Sequence, residues 1–190
     1  MIALYTAFTD DLDDAAYDSV YNNLSLSARS RVDRQKNEQG RKNSLLGHFL
    51  VMHGVKTLFG RDTCDVYYNQ NGKPCLPFCC FSIAHTENMA VCAFSDTAIG
   101  VDVEILRPIK ARETYPFFTP RECVFVNNSE VGRDTRFMCI WTRKEAYVKM
   151  LGGTMSQQGG TDVSGEVSGA VFSDHGFDRY VITVCEAEGK

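Results

Sequence analysis

A chain of 190 residues, 44% hydrophobic and 23% charged, is long enough to bury a sizeable core in one compact domain or in two halves sharing an interface. A formal net charge of −4 argues against general nucleic-acid affinity, although the stretch from Arg29 to Lys42 is locally basic. No apolar run approaches the about 20 residues that span a bilayer. The opening "MIALYTAFTDDLDD" lacks the basic leader of a signal peptide, so the eight cysteines are expected to be reduced and mostly buried in a cytoplasmic protein that meets no membrane.

In chain order, "MIALYTAF" predicts a strand, and Leu12 to Leu24 predicts a helix with Tyr17, Val20, Tyr21 and Leu24 on one stripe. A basic helix follows, with Ser27 as its expected cap. A longer helix through "NSLLGHFLVMHGVKTLFG" then presents Leu45, Leu46, Phe49, Leu50 and Val55 to a core and ends at Gly60. "CDVYYNQNGKP" reads as a strand running into a turn at Gly72, and "CFSIAH" with "MAVCAFS" as a hairpin. After these come the strand "IGVDVEI", helices around Thr119 to Phe125 and Arg136 to Leu151, and the strands "GAVFSD" and "RYVITVCEA". Six glycines between Gly152 and Gly169 suggest a mobile loop. The fold class expected is α+β, with residues 1–98 and 99–190 as two halves that each run from a strand through helices to paired strands. Their sequences are too dissimilar to be called a repeat.

The segment "GVDVE" raises a physical problem. Val101 and Val103 alternate with Asp102 and Glu104, the period of a strand with one buried face, and this sets two carboxylates side by side on the other. The bland explanation is an exposed edge strand whose polar face is acidic. A second polar group lies on "FMCIWTRKEAYVKML", where Trp141, Glu145 and Lys149 follow one another at four-residue spacing along one side of a helix. If that helix packs beside the strand, Asp102, Glu104 and Glu145 form a cluster of carboxylates that repel one another unless a hard divalent cation is present. Oxygen donors favour Mg²⁺ or Mn²⁺ over zinc, and Mg²⁺ completes its shell with waters and substrate phosphates. Lys73, His85 and the basic stretch would then contact a phosphate-bearing substrate. On these residues alone the reading stops at a magnesium-dependent enzyme acting on phosphates. Trp141 reads as core packing, Lys149 as either a catalytic cation or a helix partner of Glu145, and Lys144 as an anchor for the helix. Tyr115, Phe117 and Phe118 read equally as core or as an apolar docking surface.

"GVDVE" and "WTRKEAYVK" resemble the two signatures of the 4'-phosphopantetheinyl transferases, G-[IV]-D-[IV]-E and W-x-x-K-E-[AS]-x-x-K, at the separation found in the longer, surfactin-synthetase-activating type. "NGKPCLP", "FSIAHTENMAVCAF", "FFTPRE" and "LGGTMS" occur in the same order as in that family. The resemblance implies two similar α/β halves related by a pseudo-twofold axis, with the site between them. It implies a monomer that transfers the phosphopantetheine arm of coenzyme A to a serine of an apo acyl or peptidyl carrier protein, releasing adenosine 3',5'-bisphosphate. Asp102, Glu104 and Glu145 would hold the metal ion, Glu145 would take the serine proton directly or through a water, and Lys149 would assist the leaving group. Arg31, Lys42, Lys73, Pro74, His85 and Thr86 would lie along coenzyme A, with Lys73 and His85 at positions that contact its phosphates or neighbouring backbone, and Glu122 matches an acidic position beside the metal.

Two positions depart from the family pattern. Ala84 stands where a serine precedes the histidine, leaving Thr86 as the nearest hydroxyl, and Asn43 replaces a basic residue, with Lys42 and Arg41 displaced along the helix. The alternatives are a coenzyme A-binding module that transfers nothing, or another Mg²⁺-dependent enzyme of nucleotide hydrolysis or phosphoryl transfer.

Overall fold

Alternate residues of one strand face two different cores, and this organises the molecule. In β5 (Met89–Ser95), Ala90, Cys92 and Phe94 pack with Leu45, Leu46, Leu50 and Val55 of the helix α3 (Glu38–Phe59). Met89, Val91 and Ala93, on the other face, pack against Ile99, Val101, Val103 and Ile105 of β6 (Ile99–Ile105), as the two-residue period of a strand requires. The computed structural model describes residues 2–62, 65–109 and 115–189. Cys64 lies outside them, and the side chain of Tyr115 is likewise outside the described atoms.

Two antiparallel three-stranded sheets carry these cores. In the first, β5 lies between β1 (Ala3–Phe8) and β4 (Cys80–Thr86). In the second, β8 (Tyr180–Ala187) lies between β6 and β7 (Ala170–Phe177). Connectivity is the same in both: a first strand, then helices, then a hairpin whose last strand takes the centre. The sheets meet along β4 and β6, where the Val101 N–H donates to Ser82 Oγ at 3.1 Å. A two-residue pair, β2 (Tyr67–Tyr68) with β3 (Pro74–Cys75), flanks the first sheet.

Helices close the outer faces. α3 covers the first sheet, with α1 (Asp14–Asn23) and α2 (Leu26–Asp33) packed on α3, while α5 (Arg133–Leu151) lies on the second beside α4 (Pro120–Asn127). Thr119 and Glu122 form a capping box that starts α4 behind Pro120, and the left-handed Gly152 stops α5. Among the described residues no helix is long and apolar enough to cross a membrane.

Several expectations need correction. Ser25, not Ser27, caps α2, because its hydroxyl is the one that accepts from the Ala28 N–H. Phe49 is exposed and stacks on His53 instead of entering the core. The "CDVYYNQNGKP" segment contributes only a two-residue strand before its turn. Both faces of β6 are covered, one by the first sheet and the other by α5, so Asp102 is buried and does not lie on a solvated edge. The glycine-rich connection includes α6 (Met155–Gln158) and is pinned by Lys144 Nζ, which donates to the Gly159 and Thr161 carbonyls at 2.7 and 2.8 Å. No disulfide joins the described cysteines, and only Cys92 and Cys185 among them are fully buried.

Candidate active site

The site begins with an absence of side chain. Gly100 precedes the acidic pair on β6, and its bare backbone lets α5 lie directly on the strand. Residues two and four positions on, Asp102 and Glu104, share that face with it and therefore look toward α5.

Asp102 is 5% exposed, and its Oδ1 accepts from Lys149 Nζ at 2.6 Å. Its Oδ2 is buried and has no hydrogen-bond partner among the described residues. Burial raises the Asp102 carboxyl to about 7 against the opposing pull of Lys149, and the negative charges of Glu104 and Glu145 push in the same direction as burial. Glu104 is held at both oxygens: Oε1 accepts from the Trp141 indole N–H at 3.2 Å and Oε2 from Thr86 Oγ at 3.3 Å. Glu145 is half-buried on α5. Among the described residues no three His, Cys, Asp or Glu side chains already stand in an arrangement that would hold a metal ion. The donor chemistry nevertheless suits one. An orphaned buried carboxylate oxygen, a carboxylate fixed by two donors and a third acid on the facing helix make an oxygen-only set suited to Mg²⁺ or Mn²⁺.

The opposite side of β4 faces a cavity. His85 points there because it neighbours Thr86 on a strand and so must face the other way. It lines a space of about 230 Å³ together with Asn43, Gly47, His48, Tyr68 and Pro74. Burial, and secondarily the charge of Lys149, lowers the His85 pKa, so the ring tends toward its neutral form. Lys149 thus acts electrostatically on both Asp102 and His85. A second cavity of about 360 Å³ shares His48, Val51, Val66 and Tyr68 with the first. The Arg31 guanidinium stacks on the Tyr68 ring at 3.4 Å from its centroid, where the two cavities adjoin.

The other expected contacts lie elsewhere. Lys73 Nζ donates to the carbonyls of Ile99 at 2.9 Å and Lys149 at 2.5 Å, so its ammonium ties the end of α5 to the start of β6. Lys42 pairs with Glu38 one turn back on α3 at 2.9 Å. Thr86 is engaged with Glu104, on the side of β4 away from the His85 cavity. Asn43 Nδ2 donates to the Glu87 carbonyl at 2.8 Å and braces the tight β4–β5 turn, in which Glu87 has a φ of 38°.

Glu122 does not join the carboxylate cluster. It is wholly buried, pairs with Lys144 at 2.9 Å, and accepts from the backbone N–H groups of Thr119 and Val163 at 2.7 Å each. Trp141 does more than pack, because its N–H reaches Glu104. Its place one helical turn before Glu145 was the available signal, and an indole N–H seldom remains buried without a partner.

The 4'-phosphopantetheinyl transferase superfamily model matches residues 98–185, the half that carries Asp102, Glu104, Glu145 and Lys149. The chain is 26% identical over 156 residues to the 4'-phosphopantetheinyl transferase gsp of Aneurinibacillus migulanus, covering 78% of this chain and 65% of the relative. It is 28% identical to the 4'-phosphopantetheinyl transferase Sfp of Bacillus subtilis (strain 168), over 70% of this chain and 62% of that one. With the 4'-phosphopantetheinyl transferase HetI of Nostoc sp. it shares 32% identity, over 60% of this chain and 49% of the relative. The chain therefore spans less than two thirds of the length of these relatives. A matched superfamily model across the half that bears the carboxylates, and relatives of one kind reaching into the other half, make the chain similar to the 4'-phosphopantetheinyl transferases.

Proposed function

We propose that this chain transfers the 4'-phosphopantetheine arm of coenzyme A to a serine of an apo acyl or peptidyl carrier protein and releases adenosine 3',5'-bisphosphate. The observation that supports this most is the buried Asp102, with one oxygen on Lys149 and the other without a partner among the described residues. An orphaned carboxylate oxygen beside two further acids is costly unless a cation or substrate completes it.

In this reading the serine oxygen attacks the pantetheine-side phosphorus of the pyrophosphate. A new O–P bond forms as the bond to the adenosine 3',5'-bisphosphate oxygen breaks, and that oxygen keeps the electron pair. Glu145 takes the serine proton, a role worth about 10²–10⁴-fold. Lys149 places its ammonium against the negative charge that develops on the leaving phosphate. Asp102, Glu104 and Glu145 would hold Mg²⁺ or Mn²⁺, which when bound neutralises charge on the pyrophosphate. The His85 cavity, with Pro74 in its wall and Arg31 stacked at its border, takes coenzyme A. We further read the matching connectivity of the two sheets as a pseudo-twofold arrangement of residues 1–98 and 99–190, and the protein as a cytoplasmic monomer.

Intact-mass spectrometry tests the reaction. Apo carrier proteins incubated with the protein, coenzyme A and Mg²⁺ should each gain one phosphopantetheine, a chelator should prevent it, and Asp102→Ala and Glu145→Ala should abolish it. A wild-type protein that binds coenzyme A but modifies no carrier would overturn the proposal in favour of a binding module.

A further inference from the structure

Glu104 is the one carboxylate of the site whose two oxygens are each claimed by a side-chain donor, and the donors come from opposite halves of the chain. Trp141 approaches from α5 and Thr86 from the end of β4. We propose that Trp141 and Thr86 are positioning residues for divalent-cation binding, which lock the Glu104 carboxylate in one orientation and make that orientation depend on the docking of the two sheets. The inference rests on the metal-binding part of the proposed function.

The physical case follows from what each donor replaces. A glutamate has three side-chain torsions, and a carboxylate free to rotate must be ordered each time an ion binds. Two donors at 3.2 and 3.3 Å impose that order in advance and leave the remaining lone pairs of both oxygens available. Hydrogen-bond partners of metal-ligating groups characteristically set ligand orientation, and their loss costs about 10–100-fold in metal affinity. The geometry also limits the alternatives. Thr86 Oγ lies on the opposite side of β4 from the cavity that holds His85, so its hydroxyl serves the carboxylate and not a ligand in that space. The Trp141 ring packs toward Phe117, with centroids 6.4 Å apart, so its N–H is held in place independently of Glu104.

Trp141 is the sole tryptophan of the chain, which makes the arrangement directly readable. Its indole touches a carboxylate of the site, so Mn²⁺ added to the protein without coenzyme A should quench its emission, and the titration should yield an affinity. Thr86→Val keeps the shape and removes the hydroxyl, and should weaken Mn²⁺ binding about tenfold, while Thr86→Ser should restore it. Trp141→Phe, read by the electron paramagnetic resonance of free Mn²⁺, should weaken binding to a similar degree with unchanged circular dichroism.

If Thr86→Val and Trp141→Phe bind Mn²⁺ as the wild type does, the positioning role is wrong even where carrier modification proceeds. The same holds if wild-type emission and free Mn²⁺ are both unaffected by titration. If both variants lose affinity and the wild type modifies no carrier, the positioning role stands and the transferase reading fails.

Discussion

Gly100 and Ala146 are in backbone contact: a Cβ on Gly100 would stand 1.9 Å from the Ala146 carbonyl oxygen and 2.5 Å from the Met150 nitrogen. Both obstacles are main chain of α5, so no side-chain rotation can make room. Gly100→Ala should push α5 off β6, separate Lys149 from Asp102 and cost upwards of about 1–3 kcal/mol. Thermal denaturation and the transfer assay should fall together, and an alanine variant of wild-type stability would show that the helix tolerates the shift.

The Lys144–Glu122 pair is buried at both ends, with side-chain exposures of 1% and 0%. Lys144→Met alone strands the Glu122 charge and frees the carbonyls of Gly159 and Thr161, for an expected loss of about 3–5 kcal/mol. Adding Glu122→Gln removes the stranded charge and should recover part of that loss. Urea unfolding of the single and double variants gives the comparison, and a double variant less stable than Lys144→Met would contradict it.

Asp102 makes the metal-free protein sensitive to pH. Its folded pKa, about 7, lies above the ordinary value of 3.8, so between those limits the folded state holds a proton that the unfolded state has released. Stability from this group therefore falls as pH rises from about 4 to about 7 and levels off above. Asp102→Asn abolishes the titration. Subtracting its denaturation profile from the wild-type one, with chelator present, should leave a curve that declines across this window; a flat difference would mean that Asp102 is ionised throughout.

Lys73 contributes to stability through three acceptors, the carbonyls of Ile99, Lys149 and Met150. Lys73→Met leaves them without their donor at the point where α5 ends, and should destabilise by about 1–3 kcal/mol. Coenzyme A affinity of the folded fraction, measured by calorimetry below the melting transition, should change by less than it does for His85→Ala, since His85 lines the cavity itself.

The glycine caps, the strand periodicity of "MAVCAFS" and the helical stripe through Leu45, Leu46 and Leu50 were all legible, because each reports which side of its own element is apolar. The same local signals indicated that Asp102, Glu104, Glu145 and Lys149 share two elements bearing a chemical site. Period-two alternation in "GVDVE" allowed either a solvated edge or a face under the helix, and α5 covers it: the pattern of a strand carries no record of what packs against its polar residues.

Residue type and spacing along one chain were enough to specify the elements, the order of the motifs and the family resemblance. The partner of each charge was set by packing. Asp102 and Glu122 are both buried acids, yet Lys149 reaches one and Lys144 the other. Lys73, at a position read as contacting either coenzyme A phosphate or neighbouring backbone, ties the end of α5 to the start of β6, while Thr86 and Trp141 converge from different halves on Glu104. Pairing of charges and donors is set by distances across the packed interface between elements, and those distances exist only once Gly100 has let the helix settle on its strand.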